Sequence, residues 1–219
     1  MKKNLACSIF FLSIYYALTM ALGPVYAEDT RATQLPDPQT EGGKPLMQVL
    51  SERKSTREFS YRDIPSNILS NLLWAANGVN RADTGERTAP STKNMQEIDI
   101  YVAKADGLYL YDAKSNTLVP ILDQDIRVYT GVQGFVKDAP VNLIYVADYN
   151  KMSSLTIGEK EFYSACDTGF VSQNVYLFCA SNNLATVVRG AVNKLTLGKI
   201  MKLRPSQRII LTQTIGYPS

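Results

Sequence analysis

The run Val141-Asn142-Leu143-Ile144-Tyr145-Val146-Ala147 decides how the rest of this chain is read. It is almost unbroken in apolar and β-branched residues, without the polar alternation of a half-exposed strand. It therefore reads as a central strand, buried on both faces of a sheet. Upstream, 97–103, 107–112 and 117–122 are rich in Ile, Val, Tyr and Leu and are separated by Asp106-Gly107 and Ser115-Asn116, the signature of a meander. Downstream, 161–182 carries apolar residues on nearly every side, among them Phe162, Phe170, Val171, Val175, Leu177 and Phe178. A surface helix shows one apolar stripe, so this one is expected to be buried, in part against a partner subunit. A short strand at 184–188, a helix at 194–203 and a last strand at 208–215 follow. Nearer the N-terminus, 45–52 and the stretch from Pro65 to about Gly78 have helical spacing, the second with proline at its entry. The sum is an α+β fold in one domain.

Ahead of that domain, Met1-Lys2-Lys3-Asn4 is a short basic start, 5–22 is apolar apart from Ser and Thr, and Gly23-Pro24 breaks the run before Val25-Tyr26-Ala27. This is the pattern of a secretory signal cut after Ala27. A retained anchor is the competing reading, since about 18 apolar residues just span a bilayer. The break and the cleavage pattern favour removal, export to the periplasm and no stable membrane insertion afterwards. Residues 28–44, with Pro36, Pro38, Gly42 and Gly43, read as a linker or as an arm lying over a partner, and 45–219 as the folded domain.

The chain of 219 residues has 23 basic and 20 acidic side chains, and removing Lys2 and Lys3 leaves a net charge of about +1. That balance argues against nucleic acid as a partner. Cys166 and Cys179 fall on one predicted helix, about 20 Å apart, too far for a disulfide, and read as buried thiols. There is no histidine, which excludes Ser-His-Asp and Cys-His hydrolases and most zinc enzymes. An enzyme of this composition needs its chemistry from elsewhere, most naturally from an organic cofactor.

Two polar stretches carry what chemistry the sequence offers. In Arg53-Lys54-Ser55-Thr56-Arg57-Glu58-Phe59, an extended backbone puts Arg53, Ser55 and Arg57 on one face. Two guanidinium groups and a hydroxyl suit a phosphate; a basic loop closing a helix C-terminus is the structural alternative. In Arg87-Thr88-Ala89-Pro90-Ser91-Thr92-Lys93-Asn94-Met95-Gln96, Ser91, Asn94 and Gln96 supply donors and acceptors for a heterocycle edge and a polyol. The alternative is a loop whose side chains satisfy its own backbone.

Taken together, Arg-x-Ser-x-Arg-x-Phe after an N-terminal helix and Ala-Pro-Ser-x-x-Asn-x-Gln some 30 residues on resemble the nitroreductase-like flavoenzyme family. The resemblance runs from about Pro45 to Pro218 and includes Ser172-Gln173-Asn174 and Ile215-Gly216-Tyr217-Pro218. The stretch Gly85-Glu86-Arg87-Thr88-Ala89-Pro90-Ser91 is similar to the branch that contains azoline oxidases. The resemblance implies a mostly antiparallel sheet wrapped by helices, and a homodimer with FMN between the subunits. It implies that Arg53, Ser55 and Arg57 hold the phosphate and ribityl chain, that Ser91, Asn94 and Gln96 form the other wall, and that the Arg189-Gly190 backbone lies near flavin N5. NADH or NADPH would visit only transiently, since no dinucleotide fingerprint is present. Small organic, nitro or quinone molecules would be the substrates. Three departures stand out. Glu97 occupies a position where proline is common. No basic residues follow the last strand, so Lys54 or Lys93 is expected to complete the phosphate grip. An export signal separates the protein from cytosolic nicotinamide. A non-catalytic, exported flavin-binding protein is the alternative function.

Overall fold

The computed structural model describes residues 32–219. The signal-peptide reading of 1–27 lies outside the described residues. A seven-stranded sheet has the order β1 (Thr33–Gln34), β6 (Thr117–Leu122), β5 (Gly107–Asp112), β4 (Ile98–Lys104), β7 (Val141–Asp148), β9 (Gln207–Gly216), β8 (Ala185–Arg189), and every pairing is antiparallel. β7 sits between β4 and β9 with all of its residues buried, which explains its lack of alternation. β2 (Val79–Arg81) and β3 (Glu86–Arg87) form a separate small ribbon. Among the described residues, no helix is long and apolar enough to cross a membrane.

Side chains alternate across β7. Leu143, Tyr145 and Ala147 enter a large core with Leu72, Leu73, Val171 and Val175, whereas Ile144 and Val146 enter a smaller one with Leu197 and Met201. The large core is roofed by α2 (Ser66–Asn77) and α3 (Ile157–Ser181), with α1 (Leu46–Glu52) resting on α3. The small core is covered by α4 (Lys194–Ile200).

α3 begins at Ile157, before the predicted start at 161, because Thr156 and Glu159 form a capping box. Its inner face packs on the sheet, while Phe162 and Phe170 are 64% and 48% exposed. Cys179 is buried, but Cys166 is exposed, correcting the reading of both as core thiols; both are free. The described part of the 28–44 arm lies on its own chain: Thr33–Gln34 pairs with β6, Pro36 O accepts from Ser70 and Asn116, and Lys44 bonds to Ser181 and Glu52.

Candidate functional site

Segment 53–57 leaves α1 in extended conformation and lies beside the edge strand β8, held by Thr56 N–H donating to Thr186 O at 2.9 Å. Its even side chains, Lys54 and Thr56, line a cavity of about 420 Å³ with Glu52, Asn183 and Thr186. Tyr176 of α3, also on that cavity, anchors the odd side. Its hydroxyl shares a 2.8 Å hydrogen bond with Ser55 Oγ and accepts the N–H of Val188 at 2.9 Å. The Arg53 guanidinium lies 5.4 Å from the Tyr176 ring centre. Tyr176 thus ties this segment to β8, one residue before Arg189-Gly190. Arg57 is exposed, and among the described residues neither its guanidinium nor that of Arg53 has an ion pair.

Loop 91–96 is built differently. Lys93, Asn94 and Gln96 all take left-handed backbone angles, φ +50°, +54° and +49°. Such angles cost a side-chain-bearing residue free energy and persist only where surroundings hold them. Gln96 N–H donates to Ser91 Oγ at 3.0 Å, and its side chain is spent entirely inside the chain. Its Oε1 accepts from Arg87 Nε, and its Nε2 donates to Gly85 O and Asn94 Oδ1. Gln96 is therefore a brace for the loop. Lys93 and Asn94 are exposed at the tip, with Ser91 half-buried.

Beneath the loop, Asp167 of α3 accepts Thr92 N–H at 2.8 Å. Beside it the Glu97 carboxyl is fully buried, and neither of its oxygens has a hydrogen-bond partner. Burial, and the neighbouring Asp167, raise its pKa from 4.5 to about 7. Asp167 and Tyr176 are nine positions apart on α3, roughly 14 Å of helix rise. Within one chain the two polar stretches consequently dock at separate points along that helix.

The Arg189 side chain points away from α3. It pairs with Thr212 on the sheet face that carries Asn142 and Thr214, opposite the face where Gln213 reaches Ser172 of α3. Its Nη1 donates to Thr130 O at 2.7 Å and its Nη2 to Asn142 Oδ1 at 2.9 Å. A side chain on Gly131 would collide with that guanidinium. Burial lowers the Arg189 pKa to about 10. The side chain is an internal tie, not a ligand-facing cation. Gly190, in contrast, is exposed, and a Cβ there would meet only Leu211 at 3.7 Å. Its backbone is open to a flat molecule that must approach closely.

The residues sequence reasoning missed are Tyr176, Asp167 and Arg87. Nothing local marks the first two, one tyrosine among thirteen and one acid on a long helix.

Comparison with known proteins places this geometry among relatives. The model of the Nitroreductase family matches residues 50–217. A protein of Methanocaldococcus jannaschii assigned as a nitroreductase is 34% identical over 187 residues, covering 80% of this chain and 92% of its own length. A crystal structure of an assigned nitroreductase from Ralstonia eutropha superposes with a TM-score of 0.83 at 43% identity, over 90% of this chain and 93% of that one. A structure from Desulfovibrio desulfuricans, also assigned as a nitroreductase and bound to FMN, shares the fold at 20% identity, with a TM-score of 0.60 over 81% of this chain and 88% of that one.

Proposed function

The chain belongs to the nitroreductase family, and on that premise we propose that it is an FMN-dependent oxidoreductase acting as a homodimer. Each site would be assembled from segment 53–57 of one subunit and loop 91–96 of the other. The observation that carries this reading is the separation of the two stretches along α3, the first with guanidinium groups that have no ion pair among the described residues and the second with Lys93 and Asn94 exposed at its tip. A second copy supplies the missing wall. Support comes from the exposed apolar side chains Phe162 and Phe170 on α3 and Leu46 and Met47 on α1, which a lone soluble chain would not be expected to leave in water.

The residues fit FMN. Arg53 and Arg57 have no ion pair among the described residues and are suited to a phosphate, Ser55, held by Tyr176, would serve the polyol, and Lys54 or Lys93 would add charge nearby. Ser91 and Asn94 offer polar contacts from the opposite wall, and Gly190 lets a ring lie against bare backbone. When bound, FMN would supply the hydride chemistry, with NADH or NADPH as donor and a small nitro, quinone or other organic molecule as acceptor. The protein's share is to bind, orient and exclude water, which requires no histidine. The Gly85–Ser91 stretch supports a narrower reading, oxidation of azoline-type rings. Export to the periplasm is proposed on the N-terminal signal alone.

Purified protein tests the proposal through its absorbance spectrum and its mass in solution. A yellow dimer that NADH or NADPH bleaches anaerobically, and that a nitro compound or quinone restores, is the expected result. Bleaching by dithionite alone would favour the non-catalytic carrier, and a colourless monomer that ignores added FMN would remove the reading altogether.

A further inference from the structure

Glu97 is an unusual residue to find under a ligand-facing loop. Its side chain is wholly buried, and its two oxygens lack partners among the described residues. The groups around it come from α3, β4, β7 and the turn after β7. From α3, Asp167 faces it and is itself 2% exposed, and Thr168 Oγ1 is also buried without a partner. From the turn after β7, Lys151 approaches, but its Nζ is taken by Asp99 Oδ1 at 2.7 Å and Gln96 O at 3.2 Å. On its own strand Asp99 follows two residues later. Asp148 contributes only its backbone N–H to Glu97 O, its carboxylate being held by Arg204 and Ser206.

An ionised Glu97 is unfavourable in such a place. Burying an unpaired charge is expensive, and a like charge beside it adds to the cost. Of the two carboxylates Asp167 is the one with donors, accepting the Thr92 N–H at 2.8 Å and the Thr92 hydroxyl at 3.4 Å. No neighbouring side chain donates to the Glu97 oxygens, and its own backbone N–H and the Lys151 ammonium offset burial only in part, so it is the one that keeps a proton.

We propose that Glu97 is a positioning residue: in its protonated form it lets Asp167 hold Thr92, and so sets loop 91–96, with Ser91 and Asn94, in the geometry that receives the flavin. This rests on the FMN reading above. Loss of the Glu97 proton to solvent places a second negative charge against Asp167. The repulsion falls on the Thr92 hydrogen bond and on a loop already held in left-handed backbone at Lys93, Asn94 and Gln96. It also adds negative potential on the side where an anionic cofactor would sit. The raised Glu97 pKa, about 7, agrees with this and puts the transition near neutrality.

The test is FMN affinity against pH, by quenching of flavin fluorescence, for the full folded protein and two variants. The wild-type protein should lose affinity about five- to tenfold between pH 6 and 8.5. Glu97→Gln, which mimics the protonated carboxyl, should keep the low-pH affinity and lose that dependence. The second ionisation of the FMN phosphate affects all forms alike and cancels in the comparison. Asp167→Asn should move the transition to lower pH, and the Thr92 amide of flavin-free protein should titrate near pH 7 in NMR spectra of wild type but not of Glu97→Gln. Identical pH profiles for wild type and Glu97→Gln, with FMN binding intact, overturn the role given to Glu97 and leave the function standing. Failure of every form to bind FMN at any pH overturns both.

Discussion

Segment 53–57 and loop 91–96 carry comparable sets of polar side chains and spend them in opposite ways. The segment keeps its guanidinium groups uncommitted and borrows rigidity from elsewhere, through Tyr176 and the edge of β8. The loop spends Ser91 Oγ and the whole Gln96 side chain on itself, and stands on a buried acidic pair. One half therefore offers charge on a simple backbone, and the other offers shape on a strained one. The difference suggests a division of labour: the arginines supply affinity, whereas the loop supplies geometry. Substitutions should separate the two.

The largest effect is expected from the charged half. Arg53→Ala or Arg57→Ala should each weaken FMN binding by about 1.5–3 kcal/mol, the worth of a hydrogen bond to a charged group. Folding stability should hardly change, and flavin titration beside urea denaturation checks both. Tyr176→Phe sharpens the comparison by acting on the scaffold. It leaves Val188 N–H and Ser55 without their partner and should cost about 1–3 kcal/mol of stability, read as a lower urea midpoint at unchanged slope.

In the loop half the effect should appear as a pH slope. Glu97 binds its proton more tightly when folded than when unfolded, where its pKa is near the ordinary 4.5. Its contribution to stability is then complete below that value and is lost as pH rises towards about 7. Denaturation of the flavin-free protein between pH 4.5 and 7.5 should show this decline, and Glu97→Gln should flatten it. Smallest of all, Lys93→Gly relieves a left-handed side-chain residue and also frees the unfolded chain, so a gain of no more than about 1 kcal/mol is expected by thermal melting. A large loss of flavin in that variant would move Lys93 into the charged half.

Much of this division could be read before the fold was seen. The β7 run, the meander and the two proline-started helices were legible because local periodicity reports burial on one or both faces. The start of α3 was misplaced although Thr156-Ile-Gly-Glu159 carries a capping signature ahead of the apolar run. Arg53, Ser55 and Arg57 could be grouped because an extended backbone makes alternate residues neighbours. The bracing by Gln96 and the internal tie made by Arg189 were not legible for one common reason. Their partners, Gly85, Arg87, Thr130 and Asn142, are assembled by tertiary contacts that spacing does not encode. Tyr176 and the Glu97–Asp167 pair were hidden in the same way, since their importance lies in what α3 is packed against.

The central claim is that one chain carries two half-sites that only a second copy unites. Mixed dimers test it most directly: subunits with Arg53→Ala and Arg57→Ala, carrying one affinity tag, are combined with subunits with Ser91→Ala and Asn94→Ala, carrying another. Each defective homodimer should bind little FMN. The doubly tagged heterodimer should bind one FMN per dimer, because one of its sites draws both walls from undamaged stretches. A heterodimer as empty as its parents would mean that each site is built within a single subunit, and would contradict the account.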